Sequence, residues 1–538
     1  MVFAMLVVCW SIFLGLWMLV SRLKQSRDKI CPPKGPPRLP WIGNLHQFPL
    51  KLLHLRLTEW SRTYGGFYTL KLGPVTAAVI TDRQIAKEAF DRNSAISSTR
   101  HTNYATEFVT DGTHLLTMKY GALWREERKI LQQTLKGSVC DNDHMRLIDA
   151  EQTQLMRDLL VNPSDYSAYI KRASTSIITS LVFGIRTPSC ATLHLQELDA
   201  INDDWLQLLV IGGALSEDVF PVLKYIPSAF LGTFTKRLKG IRRRMRRLYG
   251  TMLNQTITRQ RESPAPPARS MIDAVLNQRE HFNLTDRQIE VLAGVTLEGG
   301  FDTTTSMLLV FVQAMTLHPE CQERAYVEIN ALCGRHRIPQ WSDRNQLPYV
   351  NMLLKETMRW RPVTTLSPPH VLEKDTTIRG TFLPQGSMLI LNTWGLHQDP
   401  NVFIDPDRFD PMRYEGYTKL AADYANAPDA ATRDHYTYGI GRRICPGIHL
   451  ADRSMFLAIA KLIWGFRFEP QRDEQGNSIP IDSNPVTGYT VDKVQISPKP
   501  FACAVIPRDK EGEKTILREF GVASEVFADY NLDENASL

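Results

Sequence analysis

The chain has 538 residues, 43% of them hydrophobic and 22% charged, ordinary values for a globular protein with room for one large domain or several smaller ones. Its net charge of +6 is modest for that length and gives no reason to expect nucleic acid as a partner. The eight cysteines are scattered without close pairs, which suits a reducing compartment better than a disulfide framework.

From the N-terminus, Val2 to Val20 is an uncharged run followed by Arg22, Lys24, Arg27 and Lys29. A helix of that run, at ~1.5 Å per residue, comes close to the thickness of a bilayer's hydrocarbon core. No basic residue precedes it, so the positive-inside rule leaves the remainder in the cytosol. A cleaved signal peptide is the competing reading, and the basic flank on the far side of the run argues against it. Residues 1–21 are therefore expected as a single transmembrane anchor. Residues 22–44, with five prolines between Cys31 and Asn44, read as a basic, stiff hinge.

Beyond the hinge, Leu52 to Tyr64 reads as an amphipathic helix. Phe67 to Leu72 and Ala77 to Thr81 read as strands around a turn at Gly73 and Pro74, and Ile85 to Phe90 as helix again. A polar loop is expected from Ser97 to Thr113. Trp124 and Arg128 lie four apart and share a helical face, a pair that by itself reads equally well as a half-buried Trp with a solvated Arg. Phe234 to Leu248 spaces its apolar residues at fours and threes, with eight Lys or Arg between Lys236 and Arg247. Such a run can bind nucleic acid or a membrane, but a solvated helix face is the commoner meaning and is preferred here. Ser263 to Ala268 is a loop.

Thr285 to His318 is predicted as one long helix, with a capping box formed by Thr285 and Gln288 and a stop at Pro319. Inside it, Glu298 to Thr305 reads EGGFDTTT, two glycines and three threonines that weaken the helix they sit in. A conflict between local preference and overall pattern is a mark of a functional site. Leu347 to Arg361 is a second helix, carrying Glu356 and Arg359 three apart. Past Pro507 the chain has eight acidic and four basic residues and few patterns, so 508–538 is expected as a peripheral C-terminal extension.

The most informative stretch is Tyr436 to Arg453, YTYGIGRRICPGIHLADR. Gly439, Gly441 and Gly447 permit tight turns and close approach to a flat ligand. Arg442 and Arg443 bring positive charge beside Cys445, and Pro446 suits the first turn of a following helix. Cations and free helix amides both favour thiolate, the form that binds metal. A structural zinc site needs four ligands, and this stretch offers only Cys445 and His449. A haem brings four ring nitrogens of its own and asks for one axial ligand. An arginine would then pair with a propionate.

The stretch resembles the cysteine loop F-x-x-G-x-R-x-C-x-G of the cytochrome P450 superfamily, matched by Tyr438, Gly441, Arg443, Cys445 and Gly447, with Tyr438 in the Phe position. The superfamily's companion motifs are matched in order. W-x-x-x-R falls at Trp124 and Arg128, [AG]-G-x-[DE]-T at Gly299, Gly300, Asp302 and Thr303, and E-x-x-R at Glu356 and Arg359. P-D-R-F, at Pro406 to Phe409, stands where relatives have P-E-R-F. The resemblance spans roughly Cys31 to Pro507.

This resemblance implies a mainly α fold with a small β region, the cytochrome P450 fold, with residues 45–507 as the haem-thiolate monooxygenase domain behind the single N-terminal transmembrane helix. Haem b would be the cofactor. Cys445 would be its metal ligand, Gly447 would lie in the cofactor site, and Trp124, Arg128, His370 and Arg443 would meet its propionates. Asp302 and Thr303 would deliver protons, and Arg408 would join Glu356 and Arg359 in a buried scaffold. Ser97 to Thr113, Val363 to Leu366 and Val486 to Tyr489 would contact substrate.

No glycine motif for flavin or nicotinamide is evident, so electrons would come from NADPH-cytochrome P450 reductase, with cytochrome b5 as a further donor. The reductase could dock on Arg242 to Arg247. The implied activity is insertion of one atom of O2 into a small or medium apolar substrate, a hydroxylation in fungal secondary metabolism with a phenolic polyketide as a candidate. The implied setting is the endoplasmic reticulum membrane, single-pass, with the catalytic domain cytosolic. Two alternatives stay open: a haem-thiolate isomerase or dehydratase that needs no O2, and a non-enzymatic membrane-tethered binding protein.

Overall fold

The computed structural model describes residues 34–49, 51–209, 232–262, 270–491 and 493–530. The expected anchor, its basic flank and the 263–268 loop lie outside them. The first described helix, α1 (Leu53–Tyr64), buries Leu53, Leu57 and Trp60. It is followed by an antiparallel hairpin of β1 (Phe67–Leu72) and β2 (Val75–Ile80), turned through Gly73 at φ 57°. Part of the segment expected as a polar loop is regular. It holds β3 (Thr99–Arg100) and α2 (Tyr104–Thr110), the latter capped by the Asn103 side chain, which accepts the Thr106 amide at 2.8 Å.

The helical body comprises α3 (Ala122–Leu135), α4 (Met145–Val161), α5 (Tyr166–Phe183), α6 (Leu193–Leu208), α7 (Gly232–Glu262), α8 (Asp286–Leu317), α9 (Pro319–Cys333) and α10 (Pro348–Trp360). The β region continues with β4 (His370–Val371), β5 (Thr376–Ile378), β6 (Thr381–Leu383) and β7 (Met388–Leu391). It closes after α11 (Ile448–Gly465) with β8 (Phe466–Pro470), β9 (Cys503–Pro507) and α12 (Lys510–Ser524). Five strands form a mixed sheet in the order β1-β2-β7-β4-β3, in which only β2 and β7 run parallel. Its register sets Arg100 opposite His370.

The long helix α8 begins and ends as its sequence signals require. Thr285 and Gln288 make the reciprocal cap, and Pro319 opens the next helix. It is unbroken through the glycines and threonines. Thr296, Thr303, Thr305 and Thr316 each donate their hydroxyl to the carbonyl four residues back, at 2.7–2.8 Å, so none is left competing for other backbone. The two glycines have different causes. A Cβ at Gly300 would come within 2.5 Å of Ile178 on α5, the helix packed most extensively against α8, whereas a Cβ at Gly299 would meet nothing within 4 Å.

Glu356 and Arg359 form a fully buried bidentate pair on α10, 2.7 Å at each contact. Arg359 also donates to the carbonyls of His397, Pro406 and Arg408. The third cation, however, is Arg413, 3.6 Å from Glu356, and not Arg408, which supplies only its carbonyl and keeps its side chain exposed. The P-x-R-aromatic pattern occurs twice, at Pro406 to Phe409 and at Pro411 to Tyr414, and the second copy carries the charge. His397 Nε2 accepts the Tyr436 amide at 2.8 Å, and Thr437 donates its hydroxyl to Met358 at 2.9 Å. These bonds fasten α10 to the start of the cysteine stretch.

The basic run lies on α7, burying Leu238, Ile241, Met245 and Leu248. Four of its cations form ion pairs within the chain: Arg242 and Arg246 with Asp111, Arg237 and Arg244 with Asp204. The docking role expected for Arg242 to Arg247 would have to be played by a face that already carries these part-exposed ion pairs. The residues past Pro507, expected to be peripheral, pack α12 against α4 with Ile516 fully buried. Phe527 then stands 3.4 Å from the Arg186 guanidinium, above the buried ion pairs that Glu151 makes with Arg172 and Arg186.

Candidate active site

A cavity of about 320 Å³ lies between α8 and the segment leading into α11. Cys445, Pro446 and Gly447 line one wall, and Gly299, Gly300, Thr303 and Thr304 line another. Gly439 and Gly441 occupy the left-handed region at φ 78° and 69°, and a Cβ at Gly441 would come within 2.4 Å of the Phe90 carbonyl. Gly447 differs, with φ −85° as the N-cap of α11, and a Cβ there would stand 3.8 Å from the Cys445 sulfur. Pro446 therefore precedes the helix instead of opening it. The Cys445 amide donates to the Tyr438 carbonyl at 2.9 Å, fixing the loop.

The charge around the sulfur differs from the expectation. Burial raises the Cys445 pKa, and the opposing influences are the Gly447 amide and the Arg128 guanidinium. Arg442 is exposed and donates to the Tyr120 hydroxyl, and Arg443 donates to the carbonyls of Ser98, Leu115 and Met118 at 2.8–3.0 Å. Within the polypeptide alone, burial favours the thiol at this sulfur. A positive charge brought by a guest would shift it toward thiolate.

Across the cavity three arginines converge: Arg100, Arg128 and Arg443. Burial lowers the pKa of each, with Arg443 adding to the effect on Arg100, and Arg128 helping to push Arg443 down to about 9. Trp124 and Arg128 share a face of α3, and the Trp124 Nε1, Arg128 Nε and Arg100 Nε atoms are buried without partners among the described residues. His370 donates from Nδ1 to the Ser97 carbonyl at 2.6 Å, and burial, Arg100 and Arg443 hold its pKa well below the usual value. Such a set of cations and unpaired donors asks for an anionic guest. A haem, which would bring two propionates for these donors and an iron for the sulfur, fits that demand.

Thr303 faces this cavity, whereas Asp302 is not among its lining residues. Asp302 accepts a hydrogen bond from Asn202 of α6 at 3.2 Å, and burial raises its pKa against the pull of Lys171 and Lys493. Val363 and Thr364 line the cavity as expected. Val486 to Tyr489 do not: Val486 is exposed and Tyr489 is buried in the core as a hydrogen-bond donor to Gln313. Val494 and Gln495 take that place. Arg100 went unnoticed in the sequence because it lies in a two-residue strand that exists only through pairing with His370.

A buried cysteine sulfur in one cavity with three buried or half-buried arginines, beneath a helix carrying Gly299 and Thr303, defines a haem-thiolate protein. The chain belongs to the cytochrome P450 family, whose model matches residues 33–495. It is 50% identical to the cytochrome P450 monooxygenase yanC of Aspergillus niger over 93% of this chain and 94% of that one. It is 48% identical to the cytochrome P450 monooxygenase macC of Penicillium terrestre, again over 93% and 94%. The fold resembles that of a zebra fish cytochrome P450 solved with abiraterone, with a TM-score of 0.67, 25% identity, and coverage of 85% of this chain and 100% of that one. The chain is thus a haem-thiolate monooxygenase with haem b and an axial cysteine thiolate as its cofactor centre. Its mainly helical fold with a small β region is that of the family, and its relatives accord with oxidation in fungal secondary metabolism.

Proposed function

We propose that Cys445 is the axial ligand and that the chain hydroxylates a small or medium apolar molecule, anchored by residues 1–21 in the endoplasmic reticulum membrane with its catalytic domain in the cytosol. The observation that carries this is the single cysteine that shares one cavity with Arg100, Arg128 and Arg443. Trp124, Arg128, Arg443 and His370, with Arg100 added, would hold the propionates, and Gly447 leaves the ring room beside the sulfur. The bound haem supplies dioxygen activation and oxygen insertion. Thr303, whose own proton is donated to Gly299, keeps oxygen lone pairs toward the cavity to accept a proton and pass it on. Asp302, held by Asn202 outside the cavity lining, would feed protons toward Thr303 from the side of α6. The apolar wall above excludes water from the substrate.

Electrons would come from NADPH-cytochrome P450 reductase, as is typical of the family, with cytochrome b5 as a second donor. Replacing Cys445 by Ser tests the ligand. The purified variant is expected to lose the red-shifted Soret band of the reduced carbon monoxide complex together with NADPH-dependent turnover. Retention of both would exclude Cys445.

A further inference from the structure

α8 carries a buried carboxylate that the proton pathway above leaves aside. Glu298, one residue ahead of Gly299, accepts the Tyr249 hydroxyl of α7 at 2.6 Å on one oxygen, and on the other meets His114 Nε2 at 3.0 Å. All three side chains are buried, and they come from three separate parts of the chain. The site is built to hold them. Tyr249 lies against Gly294, one turn before Glu298, where a Cβ would come within 2.4 Å of its ring. The His114 carbonyl accepts the amides of Thr117 and Met118, and its ring packs on Trp205 of α6 at 5.0 Å between centroids.

The hydrogen bonds fix the chemistry of the imidazole. Burial and the Glu298 charge raise the Tyr249 pKa well above its usual value, so its hydroxyl stays a donor. Glu298 then accepts on both oxygens and Nε2 carries the proton it donates, so that with one ring proton the lone pair lies on Nδ1. That atom is buried and has no partner among the described residues. His114 and Glu298 both line the substrate cavity, and the wall beside them is apolar: Leu115, Leu116, Trp205, Val295. An unpaired acceptor in such a wall discriminates strongly between a guest that donates a hydrogen bond and one of the same shape that does not.

We propose that His114 is a specificity-determining residue whose Nδ1 accepts a hydrogen bond from a hydroxyl of the substrate, with Glu298 and Tyr249 as positioning residues that hold the tautomer. The substrate class is therefore an apolar molecule bearing a free hydroxyl, bound by it on the α7 side of the cavity. This rests on the monooxygenase reading of that cavity.

The test uses the haem-loaded, full-length protein and a panel of phenols of increasing alkyl length, each paired with its methyl ether. Binding is read from the substrate-induced Soret shift. The wild type is expected to prefer the phenol over its ether by about tenfold for the members that fit, one hydrogen bond's worth. His114→Phe is expected to bring the pair within about twofold while keeping the reduced carbon monoxide band. His114→Gln, which can donate to Glu298 and still offer a carbonyl oxygen, is expected to restore part of the preference. No preference in the wild type, no binding by any phenol, or an undiminished preference in His114→Phe would each overturn the assignment. Absence of the carbon monoxide band from the wild type would instead overturn the reading beneath it.

Discussion

Glu127 on α3 is fully buried, and neither of its carboxylate oxygens has a partner among the described residues. Burial, helped by Glu126, pushes its pKa from 4.5 to about 9, so the fold prefers the neutral acid. That stabilisation is complete below about pH 4.5 and is lost progressively as pH rises toward about 9. Glu127→Gln, neutral throughout, is expected to be more stable than the wild type by on the order of 2 kcal/mol near pH 7, with the gap widening toward pH 9. Thermal unfolding of both proteins between pH 6 and 9 measures it. The residue was invisible in the sequence, where Glu126 and Glu127 look alike. Only the packing of α3 decides which of them faces inward. Cys445 shows the same limit: its motif was legible, but the cation that acts on its sulfur is Arg128, far away in the chain.

At the scale of elements, local chemistry announced the boundaries well and pairing partners poorly. α8 was legible almost to the residue because a capping box and a proline are stop signals that need no tertiary context. The cation that completes the Glu356 and Arg359 pair was not, since two copies of the same short pattern stand five residues apart and spacing cannot rank them. Arg413 also donates to the carbonyls of Ile404, Asp405 and Arg408, so its loss frees several acceptors as well as leaving Glu356 short of charge. Arg413→Met is expected to cost about 2 kcal/mol and Arg408→Met less than about 0.5 kcal/mol in denaturant unfolding. Equal costs would return the role to Arg408. The substrate-facing segment near Val494 was misplaced because irregular chain carries no periodicity to read.

For the whole molecule, charge distribution is the property the sequence rendered least faithfully. A run of eight basic residues looked like a free surface, yet Arg242, Arg244 and Arg246 are matched by Asp111 and Asp204 on neighbouring elements. Arg242→Glu sets a carboxylate beside Asp111 and is expected to lower stability by about 1 kcal/mol while leaving the rate of reduction by the reductase unchanged. A slower, more salt-sensitive reduction with unaltered unfolding would assign the docking role to this face. The acidic C-terminal segment misled in the opposite sense. Its apolar residues are few, but Ile516 and Phe527 reach the interior.

That arrangement has a consequence for truncation. Phe527 covers Arg186, whose partner Glu151 also pairs with Arg172, so a segment more than 300 residues further along the chain completes that region. A chain cut after Pro507 would keep Cys445 and the arginines that share its cavity yet leave Arg186 uncovered.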